Sequence, residues 1–559
     1  MMNKFLSIVF LLFLVACSNT DDENNPQDPK NESTDPTLSI KNLADQSTVE
    51  TFTDIEVTVS DDSEVTTTIY VNDQQVFVTQ NLQFVFRLNP YIIPIGSATI
   101  RFVATDSDEN TVERTFTIDL KHLLFTTDVA DYQINGDETV WDMVHNLGGD
   151  LLAVEKLVSG LNKLYSEEIV EEEEIYYSRV YYKSSDTQYQ RLGTVYTYTL
   201  KLGEHRNVTD RVRTNLDNTN RLSLTVDGLP ESDYLAYCEA RGTKYETTTF
   251  GSGSNGTSFI VTADTYFENN TEKLFYTNQS YLVAVENGGT GKKEDYRYLI
   301  IDNPQDQSNV TVEEGDFSGL ENSFRLDLPQ GMSSYSIDRY GFETDEDLPL
   351  ETYNNHRIFS HSNASVTYVD LPIFDLFGYY RNYVNYHDPV TDYRNTFVTF
   401  GNEVDLNEID GQITFEPMEN SIRISTSAQN ADVLRMVYGG VVDDNGDNYW
   451  DDFNWYYRLD PRKGEQHQII LSLPQTIKDE FENGFLFDQD HRLESADVID
   501  YQKIEDFDDY IFTFILEQRA DPLENGYRTK TLFHNSGANN KGSRTTDFER
   551  SLDDLPFEQ

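Results

Sequence analysis

The most suggestive chemistry in the chain lies in Asp443-Asp444-Asn445-Gly446-Asp447-Asn448-Tyr449-Trp450-Asp451-Asp452. Counted from Asp443, side-chain oxygens fall at loop positions 1, 3, 5 and 9, from Asp443, Asn445, Asp447 and Asp451. The Tyr449 carbonyl would add a fifth. Calcium takes about six to eight oxygens, and a tight loop with this spacing turns such groups inward. The competing reading is a solvated acidic hairpin. The same stretch runs into aromatic residues: Trp450, Trp455, Tyr456 and Tyr457 stand among Asp451, Asp452 and Asn454. A second group, Phe374 to Tyr386, sets Tyr379, Tyr380, Tyr383 and Tyr386 among Arg381, Asn382 and His387. Rings offer apolar faces to sugar C–H groups while Asp, Asn and Arg bond the hydroxyls, so both groups suit glycan contact. Trp450, Trp455 and Tyr457 are the expected stacking surfaces, with Asp451 and Asp452 accepting hydroxyl hydrogens. The alternative is that Tyr-rich strands simply pack half-buried, because Tyr favours strands.

The acidic loop resembles an EF-hand or dockerin calcium loop. It departs at Asn448, where that loop turns on Gly, and at Asn454, where it has a bidentate Glu; its flanks read as strands. Catalytic signatures are absent. His356 and His361 are five apart rather than the four of a helical zinc site. The sequence has no Gly-x-Ser-x-Gly elbow, no phosphate-cradling Gly-Lys-Ser/Thr loop and no Cys-x-x-Cys pair. A glycosidase carboxylate pair cannot be singled out of 98 acidic residues. No catalytic residue is assigned, and whether the chain is an enzyme stays open.

The N-terminus reads as an address. Met1-Met2-Asn3-Lys4 precedes an apolar run from Phe5 to Ala16, a length that suits a signal peptide and is short for a membrane span. The run ends Leu14-Val15-Ala16-Cys17, which resembles a bacterial lipobox. The resemblance implies cleavage before Cys17 and its lipidation. Asp21-Asp22-Glu23 behind it resembles the surface-export signal of Bacteroidetes lipoproteins, which implies an outer-membrane anchor facing the extracellular side. Cys238 is the other cysteine, so no internal disulfide is available to the mature chain; in 233–241 it reads as a buried small hydrophobe on a strand.

Strand signals dominate most of the remaining chain. Ile55-Glu-Val-Thr-Val59, Thr67-Thr-Ile-Tyr-Val71, Gln75-Val-Phe-Val78 and residues 97–104 alternate apolar and polar side chains. Val71-Asn72-Asp73-Gln74 and Asp106-Ser-Asp-Glu-Asn110 supply turns. The Tyr-Val-Asn-Asp hairpin, the strand after Gly96 and the Asp-x-Asp-x-Asn turn together resemble a bacterial immunoglobulin-like domain, with Glu109 where that family has Gly. The resemblance implies a spacer. Asp106, Asp108 and Asn110 could ligate calcium, but a hairpin turn is the simpler use of them.

Residues 150–164 fit either a helix, with Leu151, Val154, Val158 and Leu161 on one face, or a hairpin. Beyond 175 the chain repeats weakly: Glu321-Asn-Ser-Phe-Arg325 and Tyr340-Gly341 return as Glu419-Asn-Ser-Ile-Arg423 and Tyr438-Gly439, 98 residues on. The expected order is a signal peptide (1–16), an acidic tether (17–36), the immunoglobulin-like spacer (37–121), a β-rich domain with a possible helix (122–270), repeat units at 271–369 and 370–465, and a terminal β unit (466–559). The fold class is all-β: tandem β-sandwich-like units, with a β-propeller as the alternative.

Charge narrows the function. With 98 acidic and 42 basic residues the net charge is −56, which excludes a nucleic-acid binder needing a basic face. Lipid anchor, spacer and aromatic β modules together resemble the surface glycan-binding lipoproteins of Bacteroidetes polysaccharide uptake. That implies a non-catalytic protein holding extracellular glycan, with the membrane, polysaccharide and an outer-membrane transport complex as partners and structural calcium as the one expected cofactor. A protein-binding adhesin or envelope component, and a secreted glycoside hydrolase, are the other classes.

Overall fold

The structure, a computed structural model, describes residues 35–533 except 131–137, 186–189, 209–216, 228–234, 242–244, 249–257, 268–279, 288–290, 303–307, 312–313, 343–355, 363–364, 419–420, 440–449, 481–491 and 518–524. These residues form a mostly β protein that divides into two units. One comprises 35–48, 53–88 and 96–119; the other takes 49–52, 89–95 and everything from 120 onward.

In the first unit, alternation in sequence becomes alternation in burial. In Thr53–Ser60 the buried positions are Ile55, Val57 and Val59, and in Val65–Val71 they are the odd-numbered residues. Two sheets result. One holds Thr37–Lys41, Thr53–Ser60 and Gln83–Leu88; the other runs Thr111–Leu120, Gly96–Asp106, Val65–Val71, Gln74–Thr79. Ile55, Ile69, Ile100 and Phe102 are fully buried. The turn at Asn72-Asp73 has both residues at positive φ, 48° and 63°, as a two-residue hairpin of the right twist requires. In the second expected turn, Asp106 Oδ1 accepts the N–H of Asp108 (2.9 Å) and of Asn110 (2.8 Å), and Asn110 Nδ2 donates to Asp106 Oδ2 (2.8 Å). The Asp106 carboxylate thus closes the turn. Glu109 takes φ 69°, a left-handed conformation that favours Gly.

The second unit is built on a twelve-stranded sheet. Its order is Leu151–Lys156, Glu138–His145, Glu174–Ser185, Gln190–Lys201, Trp450–Leu459, Val433–Gly439, Arg492–Tyr501, Tyr527–Phe533, Tyr393–Phe400, Tyr379–Asp388, Ser334–Phe342, His356–His361. Its neighbours are antiparallel except Gln190–Lys201 and Trp450–Leu459, which run parallel. The spans 122–270, 271–369, 370–465 and 466–559 all contribute strands to this one sheet, an arrangement unlike a ring of propeller blades. The 98-residue repeat occupies equivalent places. Asn322–Asp327 and Ser421–Thr426 lie in small sheets, and each is followed by a strand of the large one, Ser334–Phe342 or Val433–Gly439. Gly341 and Gly439 leave room for the Phe377 ring and the Glu494 side chain, which a Cβ would strike.

Apolar layers cover both faces of the middle strands. On one side Phe125 of His122–Val129 meets Tyr177, and Phe514 of the helical stretch 507–516 meets Tyr501. On the other, Ile413, Ile422, Ile424 and Ile477 pack against Leu434, Met436 and Tyr457. The stretch 151–164 is two strands, Leu151–Lys156 and Gly160–Ser166, not a helix. Leu151, Val158 and Leu161, three members of the supposed helical face, are exposed. Helix occurs instead within the expected terminal β unit. Asp506 caps it by accepting the Asp509 N–H (3.0 Å), and Phe507, Tyr510, Ile511, Phe514 and Ile515 form its buried side.

Charges enter this interior mainly in partnership. Arg179 binds Asp142 through Nε (2.8 Å) and Nη2 (3.0 Å), and Tyr177 and Thr127 hydroxyls donate to the same carboxylate, each at 2.8 Å. Arg435 Nε lies 2.8 Å from Asp497. Among the described residues no cation is bonded to Asp432. It accepts the Tyr501 N–H at 2.8 Å, and burial pushes its carboxyl up to about 7.

Two outcomes are expected from these features. Glu109→Gly relieves the left-handed backbone and raises stability by about 1 kcal/mol, read from thermal unfolding. Asp432→Asn keeps an acceptor for Tyr501 without the buried charge. An unfolded Asp ionises near about 3.9, so wild type loses stability as pH rises from there through about 7. The variant should therefore be more stable at pH 8 by about 1–3 kcal/mol, a gap that closes by about pH 4. Denaturant unfolding at the two pH values checks it.

Candidate functional site

The aromatic group at 450–457 sits at the centre of the large sheet, and this overturns its expected role. Trp455 and Tyr457 are 3% and 1% exposed. Their rings stack on each other 5.6 Å apart at 5° between planes. Trp455 Nε1 donates to Thr197 Oγ1 (2.7 Å), and the Tyr457 hydroxyl accepts the Leu471 N–H (3.1 Å). Tyr456 points the other way and is also buried, stacked on Tyr196 at 5.2 Å. With both faces of this strand covered, period-two alternation brings none of these three rings to the surface, and Trp455 and Tyr457 cannot stack on sugar. Trp450, Asp451 and Asp452 open the strand Trp450–Leu459. Asp443, Asn445, Asp447 and Cys17 lie outside the described residues. Among the described residues no group of three His, Cys, Asp or Glu side chains is arranged to hold a metal.

The second aromatic group fares differently, because its strand lies towards the far end of the sheet. Along Tyr379–Asp388 the even-numbered Tyr380, Asn382, Val384 and Tyr386 are buried, and Tyr379, Arg381, Tyr383, Asn385 and His387 are half-buried or exposed. The inward row is held by polar bonds as well as apolar contact. The Tyr380 hydroxyl donates to the Phe374 carbonyl (2.9 Å), and Arg339 Nη1 donates to Asn382 Oδ1 (2.7 Å) with its guanidinium 4.0 Å from the Tyr380 ring centre. Burial lowers the Arg339 pKa to about 10.

The outward row continues onto the neighbouring strand. Register sets Tyr340 beside Arg381, Asp338 beside Tyr383 and Ser336 beside Asn385. The Arg381 guanidinium lies 4.9 Å from the Tyr340 ring centre, and Asn385 Nδ2 donates to Thr396 Oγ1 at 2.7 Å. The result is a stripe about 27 Å long from Tyr379 to His387, at about 3.4 Å per residue. It alternates phenol rings with Arg, Asn and Ser groups that can bond hydroxyls. Nothing local in the sequence marks Tyr340 and Ser336 as members of the stripe; only strand register, which is a tertiary fact, brings them here, with the buried Asp338 between them.

At one end of the stripe Ser333 Oγ lies 2.7 Å from His387 Nδ1, and His387 Nε2 lies 3.0 Å from Asp392 Oδ1. A serine, an imidazole and a carboxylate in this order could in principle activate the hydroxyl. The surroundings favour a structural role. The Ser333 N–H is used on the His387 carbonyl, and Ser333 Oγ is itself 3.4 Å from that carbonyl. Asp392, at φ 61°, closes the tight hairpin after Asp388 and donates its N–H back to the Asp388 carbonyl (2.9 Å). The trio braces a hairpin.

No protein family matches the chain, and no curated protein matches its sequence. Among solved structures it is similar to the fibronectin(III)-like modules of Clostridium thermocellum CbhA, at 14% identity and TM-score 0.14, covering 31% of this chain and 100% of that one. It is similar to SGBP-B of the Bacteroides ovatus mixed-linkage glucan utilization locus, solved with a mixed-linkage heptasaccharide, at 12% identity and TM-score 0.14, covering 61% and 97%. Mouse cadherin-23 EC22-24 is matched at 9% identity and TM-score 0.12, covering 50% and 100%.

The position of Trp455 makes it a stability residue. Trp455→Ala should lower unfolding stability by about 3–5 kcal/mol, as large-to-small core changes do. Ligand binding measured where the variant remains folded should be unchanged.

Proposed function

We propose that this chain is a non-catalytic cell-surface protein that binds extracellular glycan along the Tyr379–His387 stripe. The observation that carries this is the sorting of the stripe. Tyr379 is exposed, and Arg381, Tyr383, Asn385, Tyr340 and Ser336 are half-buried on the same side of the two strands. A sugar chain offers apolar faces and hydroxyls in the same alternation, and rings with interspersed donors and acceptors complement both. The same proposal includes a lipid anchor at Cys17 that places the protein in the outer membrane facing outward, polysaccharide as ligand with an outer-membrane transport complex beside it, and structural calcium held by Asp443, Asn445, Asp447 and Asp451.

A polysaccharide array probed with residues 18–559, with calcium and with chelator, tests it. The expected result is retention of one glycan class, left uncleaved. Tyr379→Ala combined with Arg381→Ala should weaken retention at least about tenfold, the loss of about 1.4 kcal/mol or more. Retention untouched by the double variant, or no glycan retained at all, removes the proposal.

A further inference from the structure

Charged residues make up 25% of the sequence, yet the 13 residues from Gln74 to Phe86 carry none. The structure puts this stretch at two sheet edges of the first unit. Gln74–Thr79 is the last strand of one sheet and Gln83–Leu88 the last strand of the other. Phe77 joins them, its ring 5.5 Å from Phe84 and 5.8 Å from Phe86. Around these rings Val76, Val78, Leu82 and Val85 stand 45–56% exposed. Edge strands present unpaired N–H and C=O groups, and soluble proteins blunt them with charges, proline or bulges. Gln74–Thr79 has such a bulge, a register shift against Ile69 and Tyr70. Gln83–Leu88 has none: it runs in unbroken register with Thr53–Ser60, from Leu88 opposite Thr53 to Gln83 opposite Thr58.

We propose that Gln83–Leu88 is a self-association edge, on which a second copy of this chain adds its own Gln83–Leu88 antiparallel about a two-fold axis at Val85. Such pairing is self-complementary, as a two-fold interface must be. It sets Phe84 against the second copy's Phe86, Val85 against Val85, and Gln83 against Arg87, and aromatic cross-strand pairs are favourable in antiparallel sheets. Self-complementarity of the pairing points to a second copy, and the chain just ahead of this unit offers no covering strand. Residues 18–36 contain no Val, Ile, Leu or aromatic residue from which to build a covering strand. Two copies at −56 each repel wherever acidic surface faces acidic surface. A contact made through a strand that carries no acidic residue limits that repulsion to distances that salt screens, about 8–10 Å at physiological ionic strength.

Sedimentation velocity on residues 18–559, which retain every described residue, decides the matter. The expected result is a monomer–dimer equilibrium over about 1–200 µM that tightens several-fold between about 0.05 and 0.5 M NaCl, because screening removes repulsion and leaves the apolar contact. Val85→Lys, at an exposed position, should weaken it at least about tenfold while leaving the melting temperature unchanged. A chain monomeric at every concentration and salt overturns the proposal, and so does a dimer indifferent to Val85→Lys. Neither result bears on glycan binding, which is measured separately on the stripe.

Discussion

The strands at the middle of the twelve-stranded sheet must satisfy two cores at once, and much of the second unit depends on that. A strand covered on one face alternates polar and apolar residues, whereas one covered on both has no polar side to spare. Phe453-Asn454-Trp455-Tyr456-Tyr457-Arg458-Leu459 shows the outcome: only Asn454 is more than slightly exposed. Phenol and indole rings suit this position because each combines a large apolar area with one polar atom that finds a partner, as Trp455 does in Thr197 and Tyr457 in the Leu471 N–H. Towards the far end of the sheet the constraint relaxes. The same residue type, tyrosine interleaved with polar residues, then yields an exposed to half-buried stripe at Tyr379, Arg381, Tyr383 and Asn385.

Charge is handled by the same geometry. A chain with 98 acidic residues must place nearly all of them in water. Two of those admitted to the interior are held by several bonds each, Asp142 by Arg179, Tyr177 and Thr127 and Asp497 by Arg435. Such pairs are weak evidence for stability, since desolvation offsets much of their attraction. They do fix register, because Asp142 faces Arg179 across adjacent strands and a one-residue slip would send each to the opposite face.

Local signals are legible in the sequence where a local rule decides the outcome. The immunoglobulin-like strands, the Asn72-Asp73 turn and the Asp106–Asn110 turn depend on alternation and on short-range bonds, and each can be placed from residues alone. The helical stretch at 507–516 carries a local signal too, in Asp506 as cap and the spacing of Phe507, Tyr510, Ile511, Phe514 and Ile515. It lies in a span that reads as strand because β signals surround it. What sequence does not supply is the number of faces a strand buries. Trp455 and Tyr457 resemble a sugar platform because aromatic residues beside Asp and Asn have the same composition at a binding surface as in a doubly covered strand. The partner residues Tyr340, Asp338 and Ser336 come from a strand some forty residues away, and register alone identifies them.

The parallel pairing of Gln190–Lys201 with Trp450–Leu459 also imposes a timetable. Strands from Glu138 to Lys201 can pair among themselves as soon as they emerge, leaving Gln190–Lys201 as an open edge rich in Tyr and Val. The strand that closes this edge lies about 250 residues later in the chain. Closure over such a separation is slow, and the waiting edge is a site where a nascent chain can pair wrongly. A polypeptide that matures in this order benefits from being kept unfolded until its last third is present, as one threaded through a membrane before folding would be.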